Sequence, residues 1–78
     1  MISGRQIREA RAMLTWDVTD LQKRSSVDAA IIRRAETVDG TPSITLAQAG
    51  LIQQACERAG LRFGRGGEVL MATGRERS

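Results

Sequence analysis

Seventy-eight residues with 41% hydrophobic side chains and a net charge of +3 make one small folded domain, not a disordered tail. A chain this short buries only roughly two-thirds of its unfolded surface, so its core is thin and a second copy would help to stabilise it. With no histidine, one cysteine and two aromatics (Trp16 and Phe63), the composition excludes histidine-based catalysis, an internal disulfide and a large aromatic core.

The chain opens on Ser3-Gly4-Arg5-Gln6, the pattern of a capping box, in which a hydroxyl accepts from an orphan helix N–H and a glutamine reaches back. Ile2 and Ile7 stand at the two positions of a hydrophobic staple. A first helix is predicted from Gly4 to about Met13, with Ile7, Ala10 and Leu14 on its inner face. Asp17 opens a second helix, about Val18 to Arg24, with Trp16 and Leu21 as the staple. Ser25-Ser26-Val27 makes a tight turn, and Asp28 opens a third helix, about Ala29 to Thr37, stapled by Val27 and Ile32. Both aspartates sit at the positive end of a helix dipole, where negative charge is favoured. Two helices this short cannot bury a core alone. Joined by a tight turn, they read as a helix-turn-helix over about residues 17–37.

Asp39-Gly40-Thr41-Pro42-Ser43 is a loop by composition. Thr45-Leu46-Ala47-Gln48 is a second capping box, and it predicts a fourth helix from Leu46 to about Ala59 that buries Leu46, Ala49, Ile52, Cys56 and Ala59. Leu51 and Ala55 form an adjacent stripe, wider than a monomer this small needs to cover. Gly50 in mid-helix costs about 1 kcal/mol relative to alanine, which implies the close approach of another backbone. Gly60 suits a left-handed C-terminal cap. Beyond it the period changes to two. Leu61 and Phe63 alternate with Arg62, Gly64-Arg65-Gly66-Gly67 turns, and Glu68-Val69-Leu70-Met71 returns as a β-hairpin over about residues 61–71. An isolated hairpin is marginal in water, so it must pack on helix 4 or join the same hairpin of a second subunit. Residues 72–78 read as a frayed tail. The expected fold is mainly α: four helices and a short C-terminal β-hairpin in a single domain, without repeats.

Catalytic chemistry is not expected. Glu57 and Glu68 are isolated, no serine or cysteine has a base to activate it, and no cluster would hold a metal or call for a cofactor. Cys56 falls on an apolar helix face and reads as a small buried hydrophobe rather than a reactive thiol. Gly64-Arg65-Gly66-Gly67 lacks the lysine and the following helix of a phosphate-binding loop, so a hairpin turn is the better reading. No apolar run approaches a membrane span and no signal peptide is visible, so a soluble cytoplasmic protein is expected, with no membrane partner. Residues 1–40 hold seven cations and six anions, and residues 41–78 hold five and three. A nucleic-acid face must therefore arise from arrangement and not from bulk charge.

The pattern Arg11-Ala12-Met13-Leu14, Trp16, Leu21, Val27, Ile32-Arg33-Arg34-Ala35-Glu36 resembles the Xre, or phage-repressor-like, family of helix-turn-helix regulators. The proline-bearing loop, the helix ending in Ala59-Gly60 and Leu61-Arg62-Phe63 extend the likeness over about residues 3–63. It looks most similar to small bacterial members that end in a β-hairpin. The resemblance implies that Leu21, Val27 and Ile32 anchor helices 2 and 3. It implies that Arg11 and Glu36 form a structural ion pair between helix 1 and the end of helix 3, a geometric lock more than a source of net stability. It also implies that Ala29, Ala30, Arg33 and Arg34 face DNA bases, with Arg34 suited to guanine O6 and N7 and the alanine methyls to thymine methyls. Phosphates would meet the backbone at Val18, at Asp28, and at Thr41 and Ser43 in the loop.

Four positions depart from the family pattern. Helix 2 opens on Val18 instead of a phosphate-bonding glutamine, and Gln22 stands where helices 2 and 3 usually touch through alanine. Ser26 takes the left-handed turn position usual for glycine, at a cost of about 1 kcal/mol. Ile31 replaces a small hydroxyl residue. The expected function is a sequence-specific, dimeric DNA-binding regulator of transcription, paired through helix 4, the hairpin or both, on a near-palindromic operator in double-stranded DNA. The rival expectation is a protein-binding module on the same scaffold, antitoxin-like or antiactivator-like, in which the apolar front around Ile31 docks a regulatory protein partner. Arg62, Arg65, Arg75 and Arg77 are candidates for extra phosphate contacts or plain solubilising charges.

Overall fold

The computed structural model describes residues 1–72. It contains four helices, α1 (Gly4–Leu14), α2 (Val18–Ser25), α3 (Ala29–Glu36) and α4 (Leu46–Arg58), followed by an antiparallel hairpin of β1 (Leu61–Phe63) and β2 (Val69–Met71). The mainly α class and every element expected from the sequence are present, with ends within a residue or so of those the capping patterns predict. Residues 73–78 of the expected tail, with Arg75 and Arg77, lie outside the described residues. Ala72 is no part of a fray: its N–H donates to the Gly60 carbonyl at 2.6 Å and extends the hairpin ladder.

Each helix begins where a side chain can satisfy its orphan donors. Ser3 with Gln6, and Thr45 with Gln48, form full capping boxes. So do Asp17 and Asp20, a pair that contains no glutamate or glutamine. At α1 the remaining first-turn donors go to the chain beyond α3: Gly4 N–H to the Gly40 carbonyl at 2.9 Å and Arg5 N–H to that of Asp39 at 3.3 Å. The backbone comes so close that a Cβ on Gly4 would overlap the carbonyl oxygens of Val38 and Ala35. Arg8 clamps the same loop through the Glu36 and Val38 carbonyls and the Asp39 carboxylate.

The core is a single cluster in which Ile7, Leu21, Ile32, Ile52, Leu61 and Cys56 are the largest fully buried side chains. It is filled by Ile2 and Ala10 from the α1 side, Val27 and Ala35 from around α3, and Ala49 and Ala55 from α4. Both staple residues of α1 are therefore inside, as are Val27 and Ile32. Three expectations for α4 are not met within the chain. Leu46, at the first position of the helix, is not buried but 71% exposed. Among the described residues Gly50 has no atom within 4 Å of where a Cβ would stand, so none of them requires a glycine there. Ala59, expected inside, is half-buried and caps the helix. Gly60 follows with a φ of +106°, the conformation that a glycine after a helix supplies without strain.

The hairpin pairs Leu61 with Met71, Arg62 with Leu70 and Phe63 with Val69 within the one chain. Leu61, Phe63 and Val69 pack on the core, which supplies the support that two isolated strands lack. Arg5 of α1 also reaches across to the Gly67 carbonyl of the turn at 3.1 Å. Among the described residues, no helix is long and apolar enough to cross a membrane.

Candidate nucleic-acid interface

Between α2 and α3 almost every backbone donor has a named acceptor. Ser26 N–H donates to the Gln22 carbonyl at 2.9 Å, and Val27 N–H to the Ser25 hydroxyl at 3.1 Å. Ser25 is buried, and its own hydroxyl donates to the Leu21 carbonyl at 2.7 Å. Ala29 N–H donates to Gln22 Oε1 at 2.6 Å, and Ala30 N–H to the Asp28 carboxylate at 2.9 Å. Ile31 and Ile32 close the first turn on the Asp28 carbonyl. Ser26 adopts a φ of +65°, so the left-handed conformation is kept without glycine. With the donors satisfied and Leu21, Val27 and Ile32 all buried, α2 and α3 form one braced unit.

α3 divides cleanly into two faces. Ile32 and Ala35 are fully buried, whereas Ala30, Arg33, Arg34 and Thr37 are exposed at the i, i+3, i+4, i+7 spacing of a single stripe. Of the four residues expected to face bases, Ala30, Arg33 and Arg34 lie on this stripe. Ala29 sits to one side of it and is half-buried, drawn in by its bond to Gln22. Thr37 joins the stripe at the helix end, its hydroxyl donating to the Arg34 carbonyl at 2.7 Å. Helical spacing from Ala30, Arg33 and Arg34 points to Thr37 as the fourth member of the stripe, a residue not among those expected to face bases. Ile31 is half-buried and packs against the core, which narrows the apolar front expected on this helix.

The far end of α3 is tied to α1. Arg11 Nε and Nη2 donate to the two Glu36 carboxylate oxygens at 2.7 and 2.8 Å, and its Nη1 donates to the Trp16 carbonyl at 3.1 Å. The two side chains are 21% and 10% exposed. The hydrogen bonds to Glu36 hold the guanidinium above its ordinary pKa against the opposing effect of burial, and the charges of Glu36 and Asp17 add to them. This is the fork-to-fork geometry in which arginine bonds most strongly to carboxylate.

Charge is distributed unevenly by these pairings. Among the described residues the ion pairs are Arg5 with Glu9, Arg8 with Asp39 and Arg11 with Glu36, all made by α1 arginines. Lys23, Arg24, Arg33 and Arg34 are exposed on α2 and α3 without a carboxylate partner among the described residues. Arg24 lies 5.1 Å from the centre of the Trp16 ring, a cation–π contact that leaves its charge unneutralised. Trp16 itself is half-buried against the core, consistent with a staple residue.

Acidic groups occupy the helix starts. At α2, Asp17 takes the Asp20 N–H at 2.8 Å and Asp20 takes the Asp17 N–H at 3.0 Å. Val18, expected to offer backbone to a phosphate, is half-buried on the core between these two carboxylates. At α3 the Asp28 carboxylate already holds the Ala30 N–H. An anion arriving at either start therefore meets negative charge, and at α3 the Ala29, Ala30 and Ile31 N–H groups are already engaged. Thr41 and Ser43 are exposed in the loop and are held in place by the buried Pro42 between them. Arg62 and Arg65 are exposed on the hairpin. Comparison of the chain with protein-family models, with curated proteins and with solved structures finds no match to any of them.

Proposed function

We propose that this protein is a sequence-specific DNA-binding regulator of the Xre type, with α3 lying in the major groove. The observation that carries the reading is the stripe Ala30, Arg33, Arg34 and Thr37: exposed, bearing two arginines without a carboxylate partner among the described residues, and mounted on a braced two-helix unit. Arginine presents a planar pair of donors that fits guanine O6 and N7, and the Ala30 methyl suits a thymine methyl. Lys23 and Arg24 supply positive charge from the neighbouring helix, and Thr41 and Ser43 supply hydroxyls from the loop. The acidic caps of α2 and α3 move phosphate contact away from the helix starts and onto these side chains. Two copies would pair through the outer face of α4, where Leu46 and Leu51 are exposed, or through the hairpin, where Leu70 is. Their recognition helices would then meet half-sites about one helical turn apart.

The protein-docking alternative loses ground because Ile31, the centre of its apolar front, is partly used by the core. The deciding experiment is fluorescence anisotropy of a labelled duplex from upstream of the protein's own gene against a scrambled duplex, at two salt concentrations. The DNA reading expects a preference for the first duplex, with affinity that falls as salt rises. Arg33→Ala and Arg34→Ala should each remove about 1–3 kcal/mol of that preference while leaving the helical circular dichroism unchanged. Equal binding to both duplexes would defeat the reading, as would arginine variants that bind like the parent. An Ile31→Asp variant that abolished a protein interaction would favour the alternative.

A further inference from the structure

Gln22 spans the α2–α3 turn with both of its oxygens. Its backbone carbonyl accepts from Ser26 N–H at 2.9 Å, at the left-handed residue that ends α2. Its side-chain Oε1 accepts from Ala29 N–H at 2.6 Å, the first residue of α3. The Asp28 cap, by contrast, acts from within the turn and says nothing about how α3 sits on α2. Leu21, Val27 and Ile32 hold the helices together through non-directional contacts, which tolerate small rotations. The Gln22 bond is directional and joins the two helices at the end from which base-facing side chains enter a groove.

We infer that Gln22 is the residue that aims α3, a positioning residue for base recognition that contacts no base itself. The inference rests on the proposal that α3 reads DNA. The physical basis is that charge attraction to phosphates survives a small change of helix angle, whereas a bidentate arginine–guanine contact does not. Loss of the Gln22 bond should therefore reduce discrimination between sequences more than it reduces binding.

Two substitutions remove this one bond from opposite ends. Gln22→Met keeps length and packing but has no comparable acceptor. Ala29→Pro deletes the donor at the first helical position, where proline is well tolerated, and Asp28 before it already has the extended backbone (φ −59°, ψ 142°) that proline requires. Gln22→Glu retains an acceptor.

The test starts by selecting duplexes from a random-sequence pool with the full chain. Binding of the selected and a scrambled duplex is then measured for the parent, the three variants and the Gln22→Met/Ala29→Pro double variant, alongside their melting curves. Either bond-breaking variant should lower the preference for the selected duplex about tenfold while still binding both duplexes at low salt, and the double variant should do no worse than the singles. Gln22→Glu should keep the preference, with both affinities weakened alike by its charge. Unchanged preference in Gln22→Met or in Ala29→Pro overturns the inference, and so do losses that add in the double variant. A tenfold loss in Gln22→Glu overturns it too. Should Gln22→Met fail to fold, Ala29→Pro and Gln22→Glu decide the matter between them. A parent that selects no sequence would defeat the DNA reading itself, and the inference with it.

Discussion

Removing Arg11 should destabilise this protein far more than the modest net worth of an ion pair suggests. Glu36 is only 10% exposed in its side chain, and both of its oxygens are bonded to Arg11, at 2.7 and 2.8 Å. Arg11→Met strands that carboxylate. Breaking a buried pair costs about 3–5 kcal/mol, and the 21% exposure of Arg11 places this site at the lower end, about 3 kcal/mol. A domain of 78 residues has on the order of 4–12 kcal/mol in total. The melting temperature should accordingly fall by about 12–24 °C. Glu36→Gln should cost less, about 1–2 kcal/mol, because an amide oxygen still accepts from the guanidinium and Arg11 keeps its bond to the Trp16 carbonyl. In the double variant no carboxylate is stranded, so its cost should fall short of the sum of the singles by about 1–2 kcal/mol. Urea titration followed by circular dichroism measures all four corners of the cycle. Single variants that melt with the parent, or a double variant whose cost equals the sum, would refute the argument that the pair is a lock whose halves depend on each other.

Other tests follow from the same packing. Gly4→Ala should unfold or severely weaken the domain, by about 3 kcal/mol or more, since its Cβ would meet two backbone carbonyls that cannot step aside; Gly50→Ala, in open space, should raise the melting temperature through helix propensity. Burial foremost, and the neighbouring Glu57 charge next, push the Cys56 thiol from its ordinary value near 9 to about 11. The unfolded chain therefore loses that proton first, and stability should decline between about pH 9 and pH 11. In Cys56→Ala that part of the slope should vanish, and in the parent the thiol should stay unreactive toward a thiol reagent at pH 8 until the chain is unfolded. Leu51→Glu, on the exposed face of α4, should lower the apparent mass in analytical ultracentrifugation if two copies meet there, without lowering helix content. An unchanged mass distribution would remove α4 from the proposed dimer.

What could be read from the sequence was governed by short-range chemistry. Ser3 with Gln6 and Thr45 with Gln48 act over three residues, so their helices start where those pairs stand. The staples, Gly60 and the period-two run from Leu61 are local in the same sense. Arg11 and Glu36 are 25 positions apart, and only the family resemblance suggested their meeting. Of the candidate site, Ala30, Arg33 and Arg34 follow from helical spacing once Ile32 is inside.

The tertiary structure decided what no local pattern could. Leu46 has the spacing of a core residue, yet at the first position of α4 it stays exposed, because burial depends on what packs against a residue and not on period alone. Gly4 matters because the chain at the end of α3 and just beyond it lies against it, and Gly50 does not matter in that way because none of the described residues approaches it. Gln22 appears a misfit when read as an oversized residue at a helix contact. In three dimensions its amide reaches the first N–H of α3 and becomes a cap, since a polar side chain is judged by the partner it finds. The charge balance of the surface was settled in the same way. Glu36 and Asp39, from α3 and the loop after it, fold back onto the α1 arginines, and that geometry leaves Arg33 and Arg34 without a carboxylate partner among the described residues.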